Sequence, residues 1–239
     1  MKSIKPSIIL VRPQLPENIG LTARAMQNCG LEKLILVSPR KSWPNKKAID
    51  SSAKAKSIIK NVKVFNSIKD AVSNYNYLIA TSARKRFLTK PHKNNFSSLF
   101  KEINGLKKIG ILFGPENSGL SNDDLKLCDC IFSIPISMNN SSLNLSHSVL
   151  IIAYKWQEYF KNFSKQASSN YNLSKKKDFN KFMDFLKLEL ENSGFLYPLE
   201  KSKSMFNNIQ SMFLRAQLSK KETQTLWGMI KCLQKPRKR

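Results

Sequence analysis

The chain is short of acidic residues and lacks the glycine patterns that bind phosphate. It has 16 aspartates and glutamates against 41 lysines and arginines, a formal net charge of +25. Neither Gly-x-Gly-x-x-Gly nor Gly-x-x-x-x-Gly-Lys occurs, so binding of a dinucleotide or ATP in the usual loops is unsupported. No serine lies in a Gly-x-Ser-x-Gly turn, which argues against a hydrolase of that kind.

Signals for metals, disulfides and membranes are also missing. His92 and His147 are the only histidines, too few for a histidine-built metal site. The four cysteines lack the spacing of zinc ligands, which favours reduced thiols and no metal; they are Cys29, Cys128, Cys130 and Cys232. No apolar run is long enough to span a bilayer, and the first residues lack the apolar core of a signal peptide. We therefore expect a cytoplasmic protein without membrane contact.

The excess of positive charge points to a nucleic acid partner. Proteins that neutralise phosphates need lysine and arginine. Lysine greatly outnumbers arginine, which a biased genome composition would also produce. Such a bias, however, should raise the number of acidic residues as well as the number of basic ones. A basic helix on a membrane surface is the other alternative, but the charge is spread over the whole chain.

The pattern of apolar residues predicts an α/β fold. Short apolar runs alternate with helical patterns, which is typical of a mostly parallel sheet with helices on both faces. The predicted strands are 7–12, 33–38, 62–65, 77–81, 108–113 and 131–135. The predicted helices are 19–29, 67–75, a short one that Ser121 caps, and 145–160.

The pattern changes after residue 160. Residues 161–177 are rich in serine, asparagine and lysine without an apolar stripe, and we interpret them as a flexible basic linker. Residues 178–239 carry three helical stripes, of which the third opens with a capping box at Ser219 and Glu222. The sequence thus predicts a domain over 1–160, the linker over 161–177 and a small all-α extension over 178–239.

One block in the middle of the chain has the features of a ligand site. Residues 109–122, IGILFGPENSGLSN, run from an apolar strand through a polar turn to a helix start. Open α/β sheets place their ligands at such strand ends. Further polar groups at loop and helix starts complete the candidate set, which comprises Asn18, Arg24, Thr81, Ser82, Glu116, Ser142 and Asn144.

Each of these residues also has a purely structural interpretation. Asn18 suits the N-cap of a helix beginning at residue 19, and Arg24 suits a solvated helix face. Glu116 could complete a turn, and Ser142 and Asn144 could cap the last helix of the domain. Gly114, likewise, could serve backbone geometry alone.

Three motifs in order resemble the TrmH-like SPOUT RNA 2′-O-methyltransferases. The first is PENIGLTARAM (16–26), the second runs from FGPE to SN (113–122), and the third joins IP (134–135) to SSLNLS (141–146). The helical region resembles the TrmJ type of this family through SGFL (193–196), FLRA (213–216) and LSKKE (218–222).

The resemblance implies a C-terminal trefoil knot in the sheet domain and a site for S-adenosyl-L-methionine. True knots are nearly absent from proteins, and this family is an exception. The resemblance places the methyl donor against Thr81, Ser82, Ala83, Gly114, Ile134, Ser141, Ser142 and Leu143. It assigns the catalytic site to Arg24, Asn18, Glu116, Ser142 and Asn144.

The resemblance also implies a substrate and an assembly. A TrmJ-type enzyme methylates the 2′-hydroxyl of cytidine or uridine 32, the first anticodon-loop nucleotide of tRNA, and contacts the anticodon stem-loop and the body. A homodimer would share its active sites, with Arg24 reaching the donor of the partner subunit. The alternatives are a ribosomal RNA methyltransferase of the same family and a non-catalytic RNA-binding protein on this fold.

Overall fold

The computed structural model describes residues 5–83, 90–106, 108–137, 143–162 and 173–233. Within them a parallel sheet has the strand order β3-β2-β1-β6-β4-β7-β5. Its strands are β1 (Ser7–Val11), β2 (Leu34–Val37), β3 (Lys63–Phe65), β4 (Tyr77–Thr81), β5 (His92–Lys93), β6 (Ile109–Phe113) and β7 (Cys130–Phe132). Because all pairings are parallel, the carboxyl ends of all these strands meet at one edge.

Helices cover both faces of the sheet, which is why the central strands are apolar without alternation. The helices are α1 (Pro16–Asn28), α2 (Lys46–Ser51), α3 (Lys56–Lys60), α4 (Ile68–Val72), α5 (Phe96–Ile103), α6 (Asn122–Lys126), α7 (Leu145–Asn162), α8 (Lys176–Asn192), α9 (Leu199–Arg215) and α10 (Lys220–Leu233). Ile8 and Leu10 of β1 face α1, α5 and α7, whereas Ile9 and Val11 face α4 and α6.

Helices α8, α9 and α10 form a separate apolar core around Phe182, Met183 and Leu214. This helical unit is fastened to the sheet domain at the amino ends of the strands. The Nζ of Lys176 lies 2.5 Å from an Oδ of Asp129, the residue before β7, and both side chains are buried. The helical unit thus contacts the edge of the sheet opposite to the carboxyl edge, where the ligand site was predicted.

A second contact fastens the same unit. Glu102 of α5 accepts hydrogen bonds from the Tyr77 hydroxyl (2.6 Å) and from the side chain of Gln217 (3.0 Å), and it pairs with Lys93. The burial of Tyr77 raises the pKa of its hydroxyl far above the ordinary value, so Tyr77 remains a hydrogen-bond donor. The end of α9 is therefore held on the sheet domain by a polar cluster.

The α/β architecture is confirmed, with corrections at several boundaries. Helix α1 begins at Pro16 with Leu15 as its N-cap, so Asn18 lies inside the first turn and does not cap it. Strand β7 ends at Phe132, short of the predicted 135. Helix α8 begins at Lys176, within the segment interpreted as linker.

Four short elements were not predicted, namely α2, α3, α5 and β5. Residues 138–142, which bear on the predicted knot, lie outside the described residues, as do most of 161–177, so the knot and the linker stay predictions. No helix in the described part of the chain has the length and apolar character to cross a membrane. The same residues hold no cluster of three or more potential metal ligands.

Candidate functional site

An open cavity of about 290 Å³ lies at the carboxyl edge of the sheet. Its walls come from the segments that follow β4, β6 and β7 and from the beginning of α7. Six of the eight residues expected around the donor line it, namely Thr81, Ser82, Ala83, Gly114, Ile134 and Leu143. Ser141 and Ser142 fall outside the described residues. Phe113, Pro115, Asn117, Ser118 and Gly119 also line it, all within the block 109–122 that the sequence indicates as a ligand site. Sequence reasoning missed Phe132, Ile136, Leu145 and Ser148.

Gly114 allows the loop after β6 to close on itself. A Cβ at this position would lie 2.2 Å from the backbone nitrogen of Leu120 and 2.3 Å from the carbonyl carbon of Gly119. The loop is further held by a bond from the Gly119 N–H to the Pro115 carbonyl (2.8 Å), and Gly119 has a φ of +67°, a conformation that favours glycine. The missing side chain of Gly114 thus makes room for the loop itself, which in turn shapes the cavity.

The other two cavity segments are also fixed by hydrogen bonds. The Thr81 hydroxyl donates to the Leu112 carbonyl (2.9 Å), and the Ser133 hydroxyl donates to the Ser82 carbonyl (2.7 Å). The Ser82 N–H donates to the Phe132 carbonyl (3.1 Å). These bonds join the ends of β4, β6 and β7, so the cavity walls are pre-formed.

Asn18, Glu116 and Asn144 form a continuous chain of hydrogen bonds at the cavity. The side-chain amide of Asn18 donates to Oε1 of Glu116 (2.8 Å), and its Oδ1 accepts from the amide of Asn144 (3.1 Å). Asn18 is buried, and Glu116 is half-buried and lines the cavity. One residue of each of the three sequence motifs is therefore present in a single polar cluster.

The start of α1 holds the Glu116 carboxylate. The backbone N–H groups of Gln14 and Leu15 donate to its two oxygens at 2.9 and 3.2 Å. Unpaired N–H groups and the positive end of the helix dipole both favour a negative charge there. Glu116 is thus more than a turn residue, because its carboxylate links the second motif to the first.

Asn144 has a capping role as well as its place in this chain. Its Oδ1 accepts from the N–H of Ser146 (2.9 Å) and from the Ser146 hydroxyl (2.7 Å), at the start of α7. The structural interpretation of Asn144 is therefore correct and compatible with a site role. Ser142 lies outside the described residues.

Arg24 does not line this cavity. It lies on the exposed side of α1, and among the described residues it has no hydrogen-bond or ion-pair partner. Helix α1 packs against α7, and both helices expose apolar side chains, among them Leu21, Leu150 and Tyr154. A guanidinium beside exposed apolar side chains is free to contact a second molecule.

Arg12 joins the end of β1 to α6 and was missed by the sequence analysis. It follows β1 directly with a φ of +50°, and its guanidinium pairs with both carboxylate oxygens of Asp124. Asp124 and Ser121 form the capping box of α6, the helix for which the sequence predicts Ser121 as the cap. The signal available for Arg12 was its position, as a charged residue immediately after a fully buried strand.

A parallel sheet with a pre-formed cavity at its carboxyl edge, without phosphate-binding glycines, defines an α/β protein that binds a small organic ligand. Residues 5–154 match the sequence profile described as the SpoU rRNA Methylase family, and the chain belongs to this family.

Individual relatives cover almost the whole chain. It is 33% identical over 238 residues to the tRNA (cytidine/uridine-2′-O-)-methyltransferase TrmJ of Sodalis glossinidius, across 97% of this chain and 92% of that protein. The crystal structure of TrmJ from Z. mobilis ZM4 superposes with a TM-score of 0.85 at 33% identity, over 96% of this chain and 99% of that one.

A more distant structure shares the fold. The SpoU methyltransferase AviRb from Streptomyces viridochromogenes, in complex with the cofactor AdoMet, matches with a TM-score of 0.52 and 22% identity. The match covers 68% of this chain and 63% of that one. The AviRb match leaves about a third of this chain uncovered, whereas the first two relatives cover almost all of it, the helical unit included.

Proposed function

We propose that this protein transfers a methyl group from S-adenosyl-L-methionine to a ribose 2′-hydroxyl of tRNA in the cytoplasm, at cytidine or uridine 32. The observation that carries the proposal is the polar chain Asn18–Glu116–Asn144 beside the cavity at the carboxyl edge of the sheet. Glu116 is 98 residues and Asn144 126 residues from Asn18, yet the fold joins them at one point. Support for the substrate comes from the TrmJ relatives, whose names specify tRNA cytidine and uridine.

The described lining residues suit S-adenosyl-L-methionine. Ile134 and Leu143 offer apolar surface to an adenine ring, and the loop backbones offer N–H and C=O groups to its edge. Glu116 is the one ionisable side chain among the lining residues that the structure describes, and its negative charge favours a cationic ligand. When bound, the cofactor would supply a methyl group on a positively charged sulfonium, and a neutral thioether would leave as the methyl group is transferred.

The residues of this chain contribute positioning and charge. A 2′-hydroxyl is a weak nucleophile that must lose its proton as it attacks. The guanidinium of Arg24 offers a positive charge and several N–H donors, so we assign it the contact with a phosphate and the stabilisation of the developing alkoxide. Asn18, held between Glu116 and Asn144, fixes the start of α1 that carries Arg24, and Ser142 completes the site.

The position of Arg24 supports a homodimer with shared sites. Arg24 is absent from the lining of its own cavity, and α1 and α7 expose Leu21, Leu150 and Tyr154. Two copies related by a two-fold axis would cover these side chains and bring each Arg24 to the cavity of the partner. The domain over 1–160 would then form both the dimer and the active sites.

The helical region 178–239 is proposed to bind the tRNA body. Helices α8, α9 and α10, together with Lys175 just before α8, expose ten cations, at Lys175, Lys177, Lys181, Lys187, Lys201, Lys203, Arg215, Lys220, Lys221 and Lys231. Such side chains bind the phosphates of RNA and do not recognise its base sequence. Because Lys176 fastens this unit to the sheet domain, charge reversal of Lys220 and Lys221 tests the role better than truncation. We expect weaker tRNA binding and unchanged donor binding.

The experiment that tests the function incubates the full chain with total tRNA and methyl-labelled donor, followed by mapping of 2′-O-methyl positions. Label at nucleotide 32 is the expected result. In a parallel incubation with ribosomal RNA, label there but not in tRNA would show that ribosomal RNA is the substrate instead. RNA binding without donor binding in calorimetry would indicate a non-catalytic protein and contradict the proposal.

A further inference from the structure

A second cavity lies next to the first, on the other side of the segment that follows β7. Its volume is about 420 Å³, within the roughly 300–1,000 Å³ of ligand-binding clefts. The loop after β5, the first turn of α5, Pro135 and the last turns of α7 surround it. Its described lining includes Asn94, Asn95, Phe96, Ser97, Lys155 and Tyr159.

One layer of residues separates the two cavities. Ile134 and Ile136 line the first cavity, whereas Pro135 between them lines the second. Phe132 lines the first cavity, and its ring centroid lies 4.7 Å from that of Phe96 in the second. A ligand in one cavity is therefore close to a ligand in the other.

The lining of the second cavity is suited to a neutral planar ring. Phe96 and Tyr159 supply aromatic surface, and Asn94 supplies an amide that can donate and accept hydrogen bonds. Lys155 is paired with Glu158 at 2.8 Å, so the two charges compensate each other and do not favour a free anion. Aromatic rings beside amides are the means by which proteins hold unpaired RNA bases.

We propose that this second cavity binds the base of a nucleotide adjacent to the one that is methylated. The inference rests on the proposed function, because it assumes that the target ribose reaches the first cavity. Neighbouring nucleotides are joined by one phosphodiester. When the target ribose is in the first cavity, a neighbouring base that is unstacked from the target can therefore reach the second cavity, on the other side of residues 134–136. The second cavity then contributes to the choice of RNA, separately from donor binding.

Two neighbouring serines of α5 provide a matched test. Ser97 lines the second cavity, whereas Ser98 is exposed on the same helix and is not among the described lining residues. Ser97→Trp places an indole in the cavity, and Ser98→Trp adds the same side chain outside it. We expect Ser97→Trp to lower kcat/KM for an anticodon stem-loop by about 5- to 150-fold, the loss that follows removal of one stacked base. Ser98→Trp should match the wild type, and the donor Kd should be unchanged in both.

Abasic RNA identifies the occupant. Stem-loops that lack the base on the 5′ or the 3′ side of the target are compared with the intact RNA. One of the two should lower the wild-type kcat/KM and remove the difference between Ser97→Trp and the wild type, because interacting partners are non-additive. The proposal is overturned if Ser97→Trp equals Ser98→Trp on intact RNA, or if its defect is the same on both abasic RNAs.

Failure of the proposed function would be recognised separately. In that case the wild type transfers no methyl group to nucleotide 32 of total tRNA either, and fluorescence anisotropy with the same three RNAs replaces turnover as the measurement. Weaker binding by Ser97→Trp alone still supports the base site. Equal binding by both variants, or no binding by the wild type, overturns it.

Discussion

The side-chain amide of Asn18 donates to the carboxylate of Glu116 at 2.8 Å, across 98 residues of sequence. This bond joins the first turn of α1 to the loop that closes the cavity. Asn18 is 4% exposed, and a buried amide of this kind is costly to leave unpaired. The relationship makes the orientation of α1, and with it the place of Arg24, depend on the loop that lines the cavity at the carboxyl edge.

Replacement of Asn18 should reduce turnover more than donor binding. Asn18→Ala removes the link between Glu116 and Asn144, and a misplacement of about 1 Å at a reacting centre costs on the order of 10²-fold in rate. We expect kcat/KM for RNA to fall by about that factor, with a smaller change in donor Kd measured by calorimetry. Asn28→Ala, at the exposed end of α1, is the matched control. Wild-type kcat/KM in Asn18→Ala would contradict the positioning role.

Gly114→Ala should abolish donor binding, because its Cβ would collide with the backbone of residues 119 and 120 at 2.2–2.3 Å. Backbone atoms cannot rotate away as a flexible side chain can, so the loop must open. Gly228→Ala in α10 is the control, since nothing lies within 4 Å of the added atom and the exchange should stabilise the helix by about 0.5–1 kcal/mol. Calorimetry with the donor and thermal unfolding separate the two effects. Tight donor binding by Gly114→Ala would show that the closed loop is not required.

The central strands could be predicted from sequence because their apolar runs are continuous and buried on both faces. Strand β5 has two residues, too few to carry a pattern. Helix α5 did carry a signal, since Phe96, Leu99, Phe100 and Ile103 repeat with helical spacing and pack on the sheet. The motifs located the cavity, whereas the bonds between them depend on how distant segments meet, which local patterns do not encode.

The burial of Lys176 could not be predicted from the amino-acid composition. It is one of several lysines in a polar segment, and only the fold shows that it is buried against Asp129. The sequence has so many exposed lysines that a single buried one has no distinguishing signal. Its burial also corrects the idea that the linker extends to residue 177.

Lys176→Met should destabilise the protein strongly. It leaves Asp129 buried without its cation, and the loss of one partner of a buried pair costs about 3–5 kcal/mol. Lys187→Met is the matched control, because its pair with Glu191 spans 3.5 Å and is half exposed, a type that contributes about 0.3–0.5 kcal/mol. Urea unfolding measures both differences. Equal stability of the two variants would contradict the docking role of Lys176.

The cysteines should differ sharply in reactivity. Burial raises the pKa of the Cys128 and Cys130 thiols to about 12, so both remain protonated at pH 8 and poorly nucleophilic. Cys29 is buried as well, whereas Cys232 is exposed. A thiol reagent at pH 8 should label one cysteine of the folded protein rapidly and all four after unfolding. Cys232→Ser should remove the rapid phase, and rapid labelling that persists in this variant would contradict the burial of the others.

Mixing two inactive variants tests whether active sites are shared. Arg24→Ala lacks the guanidinium but keeps an intact cavity, and Gly114→Val keeps Arg24 but loses the cavity. If Arg24 acts on the cavity of the partner, a mixed dimer contains one complete site and one site with both defects. Random mixing at equal amounts makes half of the dimers mixed, so the rate should recover to about a quarter of the wild-type value. If Arg24 serves its own cavity, neither subunit of the mixed dimer is complete and no activity returns.

Arg24→Lys in both subunits is the accompanying variant. A lysine keeps the charge but not the planar pair of donors, so near-normal turnover would exclude a bidentate contact between Arg24 and a phosphate.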